Sequence, residues 1–105
     1  MAVGAIEAPF WAALLDGLGL SDDPLMARQH DTPRWPEMTE RIAQVFATRD
    51  MAFWTAHFED GDACVTPVLA PGEAARHPHA AARGAFKGED DAPFPAPAPH
   101  ATPRR

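Results

Sequence analysis

The sequence predicts a small α+β domain: a helix-rich unit with a few short β-strands and an extended Pro-rich C-terminal tail. Two observations lead to this fold class. Apolar residues recur at spacings of three and four between residues 10 and 58, which is typical of amphipathic helices. Short apolar runs over residues 2–6 and 63–69 are bounded by Gly, Pro or acidic residues, which is typical of strands. Helices and strands of these lengths pack as one small layered unit.

The domain is predicted to span residues 1–90, and the tail to span residues 91–105. A chain of 105 residues is long enough for one domain. The tail consists mostly of Pro and Ala, so it buries little and is expected to be extended or disordered. The remaining core is marginal, because small domains bury a smaller share of their surface than large ones. A partner surface would therefore stabilise the domain.

The chain begins with a predicted strand over residues 2–6, in which Gly4 marks a bulge or a close approach. A helix follows from Pro9, since Pro is favoured in the first helical turn, and it runs to about Gly17, where Gly17 and Gly19 are expected to stop it. Ser21 is expected to cap a short second helix. The apolar face of the first helix consists of Phe10, Trp11, Leu14, Leu15 and Leu18.

Two further helices are predicted before residue 60. One begins at Pro36, and Glu37 and Arg41 stand four residues apart on its polar face, where they would form an ion pair. The other is capped by Asp50. We expect their aromatic residues, together with Trp35, to lie in the core. The apolar faces are Met38, Ile42, Val45 and Phe46 in one helix and Phe53, Trp54, His57 and Phe58 in the other.

The C-terminal third of the chain is predicted to consist of short elements. Pro67 lies inside one of them and requires an edge position or a bulge, because Pro has no N–H to donate to a sheet. The predicted elements are a turn over residues 59–62, a strand over 63–69, helical turns over 71–76 and 78–83, and a strand over 85–87.

Charge and composition exclude several classes of partner. The formal net charge of −6 argues against nucleic acid, because a phosphate-binding surface needs clustered Lys and Arg. The single cysteine, Cys64, excludes an internal disulfide and is typical of a reducing compartment. No signal peptide is recognisable, and the longest apolar run, residues 8–15, is too short to cross a bilayer. We therefore expect a cytoplasmic protein without a membrane partner.

Glu7 is the strongest candidate for a functional side chain. It stands between a short apolar run and the predicted start of a helix. A carboxylate at such a corner is stabilised by the positive end of the helix dipole and can act as a cap. It can also be an acid/base group that faces a site. Capping preferences favour the first alternative and leave the second open.

Three other motifs have simpler interpretations. His77 and His79 are spaced as metal ligands on a strand would be, but Pro78 favours a turn and no third ligand is near in sequence. A metal site is therefore not expected. Cys64 lies in a predicted apolar strand, where a free thiol usually behaves as a small buried hydrophobe. The P-x-x-P match over residues 33–36 is interpreted as a turn followed by a helix start.

An ordered series of segments runs through nearly the whole chain. The series is Met1-Ala-Val-Gly-Ala-Ile-Glu7, Arg34-Trp-Pro-Glu37, Val45-Phe-Ala-Thr48, Asp62-Ala-Cys-Val-Thr-Pro-Val-Leu69, Glu73-Ala74, His77-Pro-His79, Ala82-Arg83, Phe86 and Pro95-Ala-Pro97. In this order the segments resemble the C-terminal, small-domain portion of the α-methylacyl-CoA racemases, within the CaiB/BaiF (family III) CoA-transferase superfamily.

The resemblance implies an isomerase that inverts the α-carbon of a 2-methylacyl-CoA by removing and returning a proton through an enolate. It implies an intertwined homodimer, in which a large Rossmann-like domain binds the CoA thioester and a small α+β domain closes the site. A His paired with a Glu works on one face of the substrate and an Asp on the other. The resemblance places that Glu on Glu7, and it implies no cofactor beyond the CoA of the substrate.

The chain also departs from the family pattern. Ala8-Pro9-Phe10 follows Glu7 where the racemases read Pro-Gln-Phe, which would shift the helix start by one residue. The family's His, Asp and CoA-binding Arg lie upstream of the resembling segment, and His57, His77 and His79 do not match that His. We therefore expect the chain to be inactive without a large domain, and the strand over residues 2–6 to lack its partner.

Two other functions stay open on the sequence. The chain could be part of a family III CoA-transferase, although those enzymes generally carry a Gly-Asn sequence at the Glu7 corner, which favours the racemase. It could also be a non-catalytic interaction module that docks through an apolar face and the Pro-rich tail. For the racemase, the remaining part is expected from a longer gene or from a second chain.

Overall fold

The computed structural model describes residues 1–89 and 92–97. The chain divides into two compact units, Met1–Val68 and Leu69–Arg105. Helices dominate the described residues, and the strands form short antiparallel pairs, so the predicted α+β class is confirmed. The predicted boundary between residues 90 and 91 lies outside the described residues.

The first unit is built from helices that follow one another closely, with a small strand pair. Pro9 lies in the first turn of its leading helix, as the sequence predicts. The elements are β1 (Ala2–Val3), α1 (Ala8–Leu18), two 3-10 turns (Met26–Arg28 and Thr32–Arg34), α2 (Trp35–Phe46), α3 (Met51–Phe58) and β2 (Val65–Thr66).

The strands of the first unit are shorter than predicted, because the first run leaves the extended conformation early and the second enters it only after Cys64. Ile6 N–H turns back to the carbonyl of Gly4 at 3.0 Å, and Cys64 has a φ of +53°. The pairing of Ala2 with Thr66 and of Val3 with Val65 is antiparallel. β2 therefore pairs with one edge of β1, and among the described residues no strand pairs with the other edge, which stays open.

Helix α1 ends one residue later than predicted, at Leu18, and Gly19 follows with a φ of +71°. Gly19 N–H donates to the Asp16 carbonyl at 3.1 Å, and Leu20 N–H donates to the Leu15 carbonyl at 2.8 Å. These two bonds form a Schellman motif, which requires a left-handed residue and therefore favours Gly at this position.

The core of the first unit lies between α1 and α3, with a smaller cluster towards α2. The predicted apolar faces of α1 and α2 are confirmed, because their residues are buried or half-buried. Trp54 also donates its indole N–H to the Phe46 carbonyl at 2.9 Å, which ties α3 to the end of α2. The main cluster contains Ala5, Leu14, Leu18, Trp54, Phe58 and Ala63, and the smaller one contains Leu15, Met26 and Met38.

Several predicted core residues are instead exposed. Trp35 is 51% exposed and Phe53 is 39% exposed. His57 is also exposed, and its Nε2 lies 2.8 Å from the Gly17 carbonyl, to which it donates. The helical spacing of α3 brings only Trp54 and Phe58 to the buried side, so a continuous aromatic run cannot all face inward.

The polar contacts also differ from those predicted. Asp23, rather than Ser21, accepts a backbone hydrogen bond, from Leu25 N–H at 3.0 Å. Arg41 pairs with Asp23 and not with Glu37, which pairs with Arg34 at 3.3 Å. An ion pair to a distant loop therefore replaces the one expected within the helix, which local spacing alone does not reveal. Asp50 caps α3 as predicted, accepting from Phe53 N–H at 2.8 Å.

The second unit contains two short helices and a strand pair. Its first helix is preceded by Ala70, whose N–H donates to Glu73 Oε2 at 3.2 Å. In the strand pair, Phe86 stands opposite Pro95 and Glu89 opposite Ala92, so residues of the predicted tail form an antiparallel strand. The elements are α4 (Pro71–Arg76), α5 (Pro78–Ala82), β3 (Phe86–Glu89) and β4 (Ala92–Pro95).

Candidate functional site

Glu7 lies at the corner between β1 and α1, as the N-cap residue of the helix. Its backbone is extended, with φ −73° and ψ 148°, and its carbonyl accepts the first helical hydrogen bond from Trp11 N–H at 2.9 Å. Its side chain is exposed and makes no cap hydrogen bond. Within residues 1–89 and 92–97, no ion pair involves it. The carboxylate is therefore free to meet another group.

The main chain just before Glu7 is held by a residue far along the sequence. Gln29 donates its side-chain N–H to the carbonyl oxygen of Ile6 at 2.6 Å, across 23 positions. The carbonyl of Gln29 in turn accepts the indole N–H of Trp35 at 2.9 Å. The Glu7 corner is thus connected to the start of α2 through two hydrogen bonds.

A pocket of about 440 Å³ opens beside this corner. Its walls are mostly apolar, and Ile6, which directly precedes Glu7, lines it and is 74% exposed. Gln29 and His30 contribute polar groups. The sequence interpretation missed both residues, because nothing in their spacing relates them to Glu7. The apolar wall consists of Ala5, Ile6, Trp11, Trp35, Met38 and Ile42.

A second groove, of about 650 Å³, lies along the other side of α2. Met1 and Val3 from the start of the chain contribute to it, together with Phe46 and Trp54. Arg49 is its charged residue, and the guanidinium stacks 4.9 Å from the centre of the Phe53 ring. Apolar surface is therefore also exposed next to β1, the strand that precedes Glu7.

The other residues considered from the sequence have local roles of their own. His77 Nδ1 accepts from the backbone N–H of His79 at 3.3 Å, so this ring takes part in capping α5. Among the described residues, no group of three or more His, Cys, Asp or Glu side chains is arranged to hold a metal ion. Cys64 is exposed, which contradicts the predicted burial, because its left-handed backbone ends the strand there.

The helices are too short to cross a bilayer in the part of the chain that the structure describes.

The helix-rich α+β architecture agrees with the family resemblance. The chain belongs to CoA-transferase family III, whose family model matches residues 1–104. It is similar to the α-methylacyl-CoA racemase of Mus musculus, with 47% identity over 100 residues that cover 94% of this chain and 26% of that protein. It is also similar to the α-methylacyl-CoA racemase of Homo sapiens, with 46% identity over 100 residues that cover 92% of this chain and 26% of that protein.

These comparisons confirm the family predicted from the sequence. The chain spans about a quarter of the length of the curated relatives that it matches. The activity, substrate and partners of the whole relatives therefore belong to the proposal that follows.

Proposed function

We propose that this chain is a portion of an α-methylacyl-CoA racemase and supplies Glu7 to its active site. The observation that carries the proposal is the 47% identity to a protein of that name over 94% of the chain. The free carboxylate at the β1–α1 corner adds support, since an acid/base residue has to be available to its partner. The substrate is a 2-methylacyl-CoA thioester, and the chain acts together with a large domain in a dimer.

The chemistry follows from the acidity of the carbon next to a thioester. A base on one face removes the α-proton, the resulting enolate is stabilised by hydrogen-bond donors or a helix N-terminus, and an acid returns a proton on the other face. Glu7 accepts a hydrogen bond from an imidazole of the partner domain and holds that ring in its working orientation. It also stabilises the imidazolium that forms when the ring takes the α-proton.

The conformation of Glu7 suits this role. A carboxylate engaged in capping is held against the end of the helix and has fewer acceptor positions left for a His. Glu7 has no such bond, although it occupies the N-cap position. Glu7 also lies at the N-terminal end of α1, where the helix dipole attracts negative charge.

A chimera tests the proposal most directly. The 100-residue segment of the mouse racemase that matches this chain is replaced by the chain itself. We expect the chimera to exchange the α-proton of a 2-methylacyl-CoA with deuterated water and to interconvert its two epimers. The mouse protein without this segment is the negative control. A folded, dimeric chimera that binds the thioester without exchanging the proton would contradict the proposal.

Glu7→Gln in the chimera tests the assigned residue. The amide keeps the size of the side chain and removes its charge, so exchange should fall by about 10²-fold or more while thioester binding changes little. Gln44→Leu, on the exposed face of α2, is the control and should leave exchange unchanged. Unimpaired exchange by Glu7→Gln would remove Glu7 from the mechanism. Transfer of CoA to a second acyl acceptor, without epimer exchange, would favour a CoA-transferase.

A further inference from the structure

We propose that Gln29 is the positioning residue of this site, fixing the peptide from which Glu7 projects. The inference rests on the proposed role of Glu7 and adds a residue that acts through it. Gln29 does not need to touch the substrate. Its contribution is to hold the Ile6–Glu7 peptide in one orientation, so that the Glu7 carboxylate is already oriented towards its partner.

Burial does not hold this corner. The Ile6 side chain is 74% exposed and the Glu7 side chain is exposed as well. A residue held by packing would be expected to bury its side chain, as Ala5 does one position earlier, at 7% exposure. Hydrogen bonds must therefore supply the order here. The Ile6 N–H donates to Gly4, and the Ile6 carbonyl accepts from Gln29.

The second of these bonds controls Glu7. The Ile6 carbonyl and the Glu7 N–H belong to one planar peptide unit, so fixing the oxygen also fixes the direction of the Glu7 N–Cα bond. The extended Glu7 backbone then sets where the side chain leaves the corner. At 2.6 Å, the Gln29 contact lies at the short end for an amide–carbonyl bond. Without it, the bonds from Ile6 N–H to Gly4 and from Trp11 N–H to the Glu7 carbonyl still hold the neighbouring peptides, but the Ile6 carbonyl loses its partner.

The structure also explains how Gln29 is held. The indole N–H of Trp35 donates to the Gln29 carbonyl at 2.9 Å, which fixes the main chain from which the Gln29 amide extends. Trp35 is 51% exposed, so this hydrogen bond adds to a partial burial of the side chain. Trp35, at the start of α2, thus positions Gln29, and Gln29 positions the peptide between Ile6 and Glu7.

Gln29→Leu tests the inference, because it keeps the approximate size and removes the N–H donor. In the full chain, we expect the ¹⁵N heteronuclear NOE of the Glu7 amide to fall while that of Phe53 stays unchanged. In the chimera, we expect kcat for proton exchange to fall about tenfold with KM unchanged, since misaiming a catalytic group costs rate rather than binding. Trp35→Phe, which loses the indole N–H together with the five-membered ring, should cause a smaller change in the same direction.

The decisive comparison is made in the Glu7→Gln background. If Gln29 acts through Glu7, Gln29→Leu causes no further loss of exchange there. An equal loss in both backgrounds, or an unchanged Glu7 NOE, would overturn the inference. Gln29→Asn serves if Gln29→Leu does not fold, because it stays polar but is one methylene too short to reach Ile6. Gln44→Leu is the matched control and should alter neither readout.

The same experiments separate this inference from the function on which it depends. If Glu7→Gln leaves exchange intact, the proposed role of Glu7 fails and the catalytic role of Gln29 fails with it. If Glu7→Gln abolishes exchange while Gln29→Leu changes neither the NOE nor kcat, only the inference about Gln29 is overturned.

Discussion

At the scale of single residues, Glu7 and Asp50 occupy the same position of two helices and behave differently. Both are N-cap residues with extended backbones. Asp50 accepts a hydrogen bond from Phe53 N–H, whereas Glu7 makes no cap bond. Glu is a poor cap because it is one methylene longer, and Pro9 removes one of the two N–H groups that a cap could reach. This sequence therefore leaves the Glu7 carboxylate available.

This difference predicts two unequal costs. Asp50→Ala should lower the free energy of unfolding by about 1 kcal/mol, since it leaves an N–H of the first turn of α3 without its partner. Glu7→Gln should lower it by less than about 0.5 kcal/mol, because only a weak interaction with the helix dipole is lost. Urea denaturation followed by tryptophan fluorescence measures both values. A cost for Glu7→Gln as large as that for Asp50→Ala would indicate a structural role for Glu7.

At the scale of elements, the packing of α3 against α1 depends on Gly17, which has no side chain. A Cβ at Gly17 would lie 2.3 Å from Cε1 of Phe58, whose side chain is only 6% exposed. The sequence indicated that Gly17 and Gly19 end the helix; Gly19 does so, whereas Gly17 lies within the last turn. The role of Gly17 is thus to let a buried aromatic ring approach the helix backbone.

Gly17→Ala is therefore expected to destabilise the protein by about 1–3 kcal/mol, the usual cost of overpacking a core. Helix propensity alone would predict the opposite sign, a gain of up to about 1 kcal/mol. The sign of the change in the urea midpoint decides between the two. Gly61→Ala is the matched control, since its added Cβ would approach only the Phe58 carbonyl, at an ordinary 3.8 Å. Stabilisation by Gly17→Ala would contradict the close contact.

The helices and the contacts between them indicate how much of the fold and of the site could be predicted from the sequence. Periodicity and caps identified the helices and the apolar faces of α1 and α2, because these depend on neighbours within one or two turns. The Arg41–Asp23 pair and the Gln29–Ile6 bond join residues 18 and 23 positions apart. Such contacts depend on how helices pack, which local spacing does not encode. Glu7 could therefore be singled out from the sequence, whereas the residue that holds its peptide could not.

At the scale of the whole chain, the buried residues are unevenly distributed. Every described hydrophobic side chain that is buried lies between Ala5 and Ala63, within the first unit. The short helices of the second unit have no buried residue. The three tryptophans, Trp11, Trp35 and Trp54, also lie in the first unit, so intrinsic fluorescence reports on that unit alone.

A fragment of residues 1–68 should therefore keep a cooperative unfolding transition. Its stability is expected to be a few kcal/mol at most, because a unit of this size has a small core. Urea denaturation of the fragment and of the full chain, both followed by tryptophan fluorescence, tests this. A gradual change of fluorescence without a transition would mean that the first unit depends on residues 69–105.

The exposed thiol of Cys64 has a practical consequence for this chain. Cys64 is the single cysteine of the sequence, and its carbonyl accepts the N–H of Gly4 at 2.9 Å. A spin label or a fluorophore attached there needs no engineered cysteine and sits across the strand pair from the segment that leads to Glu7. Spectra of the labelled chain, recorded as the large domain of a racemase is added, would report directly whether that domain binds near Glu7.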